Sequence, residues 1–61
     1  MANEVVAARK ITEVGFGTHA RKGEKGEIVD VFDNGLVMVR WNRTGTACDC
    51  APSEIRAIDQ R

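Results

Sequence analysis

Residues 22–41 read Lys22-Gly23-Glu24-Lys25-Gly26-Glu27-Ile28-Val29-Asp30-Val31-Phe32-Asp33-Asn34-Gly35-Leu36-Val37-Met38-Val39-Arg40-Trp41. Two glycine-punctuated turns bracket two short apolar runs, the pattern of a small, tightly curled antiparallel sheet. Asp33-Asn34-Gly35 is the strongest local signal. Asn-Gly accepts positive φ at both central positions of a type I′ turn, whose twist matches a tight hairpin. The run after it, Leu36 to Trp41, alternates: Val37, Val39 and Trp41 form one face, Leu36, Met38 and Arg40 the other. The Val-Val-Trp face is assigned to the core, where the buried indole N–H needs an acceptor. Before the turn, Gly26 to Phe32 crowds apolar side chains onto both faces. That pattern predicts a bend or a bulge.

Working outward, Gly15 and Gly17 flank Phe16, and Thr18-His19-Ala20-Arg21 alternates as a preceding strand. Asn42 to Gly45 is a turn. Thr46 to Cys50 follows as a strand with Thr46, Cys48 and Cys50 on one face and Asp49 on the solvated one. Pro52 breaks that strand, because it cannot donate to a ladder. Pro52-Ser53-Glu54 suits one 3₁₀ turn, and Ile55 to Ile58 can close the sheet. The fold expected is all-β: a single small five-stranded SH3-like barrel over residues 14–61.

Residues 1–13 lack glycine and proline. Val5, Val6, Ala8 and Ile11 could stripe a short helix capped by Asn3. The alternatives are a frayed tail, an extra edge strand, or an arm that binds a partner.

The chain has 61 residues, room for one domain and one small core. Cys48 and Cys50 are its two cysteines. On a strand their α-carbons would stand roughly 6.5–7 Å apart, near or beyond the reach of an unstrained disulfide. That favours a reducing compartment. The first ten residues lack the basic start and long apolar run of a secretion signal, and no window is apolar enough to span a membrane. A cytoplasmic location is expected. Nine Lys plus Arg balance nine Asp plus Glu, for zero formal net charge. An autonomous nucleic-acid binder normally carries a basic excess. Zero net charge also removes electrostatic protection against self-association, so a homo-oligomer stays open.

Arg21-Lys22-Gly23-Glu24-Lys25-Gly26-Glu27-Ile28-Val29-Asp30-Val31 resembles the KOW motif of SH3-like barrels in ribosomal proteins and transcription elongation factors. The resemblance implies a turn at Gly23, close strand approach at Gly26, and Ile28 and Val31 in the core. The wider glycine, aliphatic and Trp pattern, ending in Pro-Ser-Glu-Ile-Arg, is similar to small accessory subunits of redox complexes. Those include the PsaE-type subunit of photosystem I and the variable chain of ferredoxin–thioredoxin reductase. It is also similar, more weakly, to type II dihydrofolate reductases, which are oligomers with a central pore. The corresponding stretch here, Cys48-Asp49-Cys50-Ala51, departs from the polar–aliphatic–aromatic strand that lines that pore.

Three functional classes follow. The first is a non-enzymatic module that docks a protein partner as an accessory subunit, through Phe16, Leu36 and Met38. The second is a KOW-like contact with RNA or a ribonucleoprotein through the turn residues Arg21, Lys22, Lys25, Arg40 and Arg43. Glu24, Glu27, Asp30 and Asp33 interrupt that basic region. The third is a reductase-like oligomer. No catalytic residue and no cofactor is assigned: the single histidine, His19, reads as an exposed or edge side chain rather than a base. Cys48 and Cys50 read as small buried hydrophobes, with metal binding shared between chains as the alternative.

Overall fold

A computed structural model describes residues 3–58. The strands are β1 (Glu4–Ala7), β2 (Ile11–Glu13), β3 (Gly17–Ala20), β4 (Lys25–Val31), β5 (Val37–Trp41), β6 (Ala47–Cys50) and β7 (Ile55–Ala57), with a 3₁₀ turn at Pro52–Glu54. They form a five-stranded sheet in the order β6-β5-β4-β1-β7 and a separate β2–β3 hairpin. Among the described residues, seven strands in two sheets stand where the sequence suggests a single five-stranded closed barrel.

The stretch expected as an arm, a short helix or an extra edge strand is a strand, but not at an edge. Val5 and Ala7 are buried on the inner face of β1, which pairs with β4 on one side and β7 on the other. β1 is thus interior to the sheet, and residues 4–13 belong to the same fold as the rest. Its strand character comes from partners distant in sequence, which a local helical stripe cannot register. Backbone bonds from Ala7 N–H to Glu24 O (2.9 Å) and from Gly23 N–H to Ala7 O (2.8 Å) pin its end to the 21–24 turn.

The hairpin at residues 33–35 forms where expected, by a different turn. Phe32 N–H donates to Leu36 O (2.9 Å), and Gly35 N–H donates to Phe32 O (3.1 Å). That pattern closes a longer loop with a bulge at its last residue. Gly35 alone has positive φ there, +93°, and among the described residues no non-glycine residue does. Asn34 instead uses its side chain, whose Oδ1 accepts the Leu36 N–H at 3.1 Å. The bulge expected in the strand before it is present: Val29 is unpaired between the Ile28–Val39 and Asp30–Met38 pairs.

Val39, Trp41 and Cys50 are fully enclosed, with Val5, Ala7, Ile11 and Ala20 around them. Ile28, Val37, Cys48 and Ile55 pack against that centre. Burial of Trp41 and Val39 contributes roughly 1.5–3 kcal/mol each. The indole Nε1–H of Trp41 finds no acceptor among the described residues, contrary to expectation. Val31 also departs from its assignment. It shares the face of Val37, its partner in β5, yet it lies at the end of the strand and is 68% exposed. Glu54 Oε1 caps the 3₁₀ turn by accepting the Ala51 N–H at 2.9 Å.

Candidate functional site

The β2–β3 hairpin carries the most concentrated polar chemistry in the chain. His19 is buried, at 2% exposure, rather than the exposed or edge side chain expected. Its Nε2 lies 2.7 Å from Glu13 Oε1, and its Nδ1 lies 2.8 Å from Thr46 Oγ1. Thr44 Oγ1 donates to the His19 carbonyl (3.1 Å) and sits 2.8 Å from Thr46 Oγ1. The histidine therefore joins the hairpin to the turn between β5 and β6. Phe16 covers it: the two rings stack with centroids 4.3 Å apart and 12° between planes. The residues that bury His19 are spread over residues 13–46, so no local pattern could show them.

Phe16 is nonetheless 52% exposed on its outer side, and Val14 beside it is fully exposed. Met38 in β5 and Leu36, just before that strand, are half-buried. Met38 has Asp30 opposite it in β4 and Asp49 opposite it in β6, so carboxylates flank it on both sides. Exposed apolar surface is instead concentrated at the β2–β3 turn (Val14, Phe16) and along β4 (Val29, Val31). Val14 carried no sequence signal beyond its place in a glycine-bounded turn.

The basic turn residues are partly neutralised. Arg43 Nε donates to Glu24 Oε2 at 2.7 Å, and Arg40 lies 3.5 Å from Glu27. Glu24 Oε1 also accepts the Arg21 N–H at 2.9 Å. That backbone bond outweighs the opposing desolvation and, with the Arg43 guanidinium adding to it, holds the Glu24 carboxyl below its usual value. Among the described residues, no ion pair engages the side chains of Arg21, Lys22 or Lys25.

Cys48 and Cys50 are free thiols on the inner face of β6, with Sγ atoms 3.9 Å apart. Burial, then the Cys48 thiol beside it, pushes Cys50 up to about 12. A thiol so protonated is a poor nucleophile. Among the described residues, no third His, Cys, Asp or Glu side chain joins the pair as a metal cluster. No helix among them is long and apolar enough to cross a membrane. Comparison with protein-family models, curated proteins and solved structures returns no match to this chain.

Proposed function

We propose that this chain is a non-enzymatic SH3-like module that docks a protein partner as an accessory subunit, in the cytoplasm. The SH3-like reading is supported by the strand order β6-β5-β4-β1-β7 and by the hairpin between β1 and β4. A 3₁₀ turn directly before the last strand supports it too. The docking reading is carried by one observation: Val14, Phe16, Val29 and Val31 hold large apolar side chains in water in a protein this small. Burying such surface against a partner gains about 25 cal/mol per Å². Phe16 is the anchor, because His19 stacks on its ring while the residue stays 52% exposed. Leu36 and Met38 contribute only their half-exposed parts.

The second reading, a KOW-like contact with RNA or a ribonucleoprotein, is favoured by Arg21, Lys22 and Lys25, whose side chains make no ion pair among the described residues. Against it, Arg40 and Arg43 are occupied by Glu27 and Glu24. Retention on immobilised RNA and DNA at increasing salt separates the two. The docking reading expects no retention even at low salt. Retention that falls steeply as salt rises would transfer the assignment to nucleic acid.

A further inference from the structure

The protons in the chain Glu13–His19–Thr46–Thr44 can be placed one at a time. A carbonyl oxygen only accepts, so the Thr44 hydroxyl donates to the His19 carbonyl at 3.1 Å. A hydroxyl has one proton. Thr44 must then accept in its 2.8 Å contact with Thr46, and the Thr46 hydroxyl donates. Thr46 has no proton left for the ring, so His19 Nδ1–H donates to Thr46 Oγ1 at 2.8 Å. The remaining contact joins Nε2 to Glu13 Oε1 at 2.7 Å, and an ionised carboxylate only accepts. Both ring nitrogens therefore carry a proton.

We infer that His19 stands in the folded protein as an imidazolium paired with the Glu13 carboxylate, and that this cation latches the β2–β3 hairpin onto the β5–β6 turn. Loss of either ring proton undoes one end of the latch. A bare Nε2 would face the carboxylate lone pairs. A bare Nδ1 would face Thr46, which could donate to it only by abandoning Thr44. Neither has water to turn to, because His19 is 2% exposed. Among the described residues, the ring's hydrogen-bond and stacking partners come from three places. From β2 comes Glu13, from the hairpin turn the uncharged ring of Phe16, and from the β5–β6 turn the two threonine hydroxyls. Arg43, on that same turn, is bound to Glu24. The Phe16 face stacked on the ring also suits a cation. The competing arrangement puts the proton on Glu13, whose side chain is 57% exposed and well solvated as the anion.

The test is nitrogen-15 NMR of the ring, read together with amide protection factors across a titration from about pH 5 to about pH 8. Both ring nitrogens are expected to be protonated wherever the hairpin is docked. Protection in β2 and β3 should fall roughly ten- to hundredfold as the ring becomes neutral, while β4 and β5 keep theirs. A bare Nε2 in the docked state, or hairpin protection that ignores ring neutralisation, overturns the inference. Glu13→Gln supplies the control on an exposed side chain. Its amide can donate to a bare Nε2 or accept from Nε2–H, so the pH step in protection should vanish. A step that persists in this variant also overturns the latch.

Discussion

Trp41 packs directly onto the backbone of Gly26, its cross-strand partner in β4. A Cβ on Gly26 would stand 2.7 Å from Trp41 Cε3, 2.8 Å from Val39 Cγ1 and 2.9 Å from the Arg40 carbonyl oxygen. The missing side chain is what lets the indole approach the β4 backbone so closely. Gly26→Ala must therefore displace the two most enclosed side chains or the β5 backbone. The expected loss is about 1–3 kcal/mol. A urea midpoint that falls with an unchanged slope checks it, and a midpoint equal to that of the parent would refute the packing.

The β4–β5 loop gives a second prediction. Gly35 sits at φ +93°, so Gly35→Ala should cost roughly 1–2 kcal/mol. Asn34→Gly separates the turn types. A type I′ turn, with positive φ at both central residues, would accept glycine there at little cost. The turn found here should lose stability, because Asn34 has no positive φ and its Oδ1 holds the Leu36 N–H. Thermal unfolding of both variants reads the difference.

These two sites also mark how much was legible in the chain. The Asp33-Asn34-Gly35 turn and the alternation Val37-Val39-Trp41 are local signals, and both elements form where the residues place them. β1 was not legible, because Val5 and Ala7 become inner-face strand positions only through β4 and β7. Val31 was assigned to the correct face but not to its depth, since a residue pattern cannot show where a sheet runs out of cover. Phe16 is legible as an aromatic available to an apolar docking patch, whereas the hydrogen-bonded setting of His19 depends on Glu13, Thr44 and Thr46 converging from separate elements.

Alkaline pH should weaken the fold through Cys50. Its thiol is raised from 9.0 to about 12, so the unfolded chain releases this proton first. The contribution is complete below about pH 9 and is lost as pH climbs toward about 12, by at most ~1.4 kcal/mol per pH unit. Comparing urea midpoints at about pH 8 and about pH 10 in the parent and in Cys50→Ala isolates the effect. The variant is less stable throughout but should lack this part of the slope.

Glu24 and Glu27 mask basic charge, which gives a gain-of-function test. Glu24→Gln combined with Glu27→Gln releases Arg43 and Arg40 and adds two units to a formal charge of zero. This double variant should acquire weak, salt-sensitive retention on RNA that the parent lacks. Equal behaviour of the two proteins would show that the glutamates do not gate the basic turns.

The proposal of protein docking is tested most directly by affinity capture from the native host. The parent and Phe16→Ser would be compared, each with and without nuclease, after the amide spectrum of the five-stranded sheet is shown to be unchanged. The expected result is a protein partner that survives nuclease and is lost, or weakened at least about tenfold, in Phe16→Ser. A partner that disappears with nuclease and is indifferent to Phe16 would contradict it.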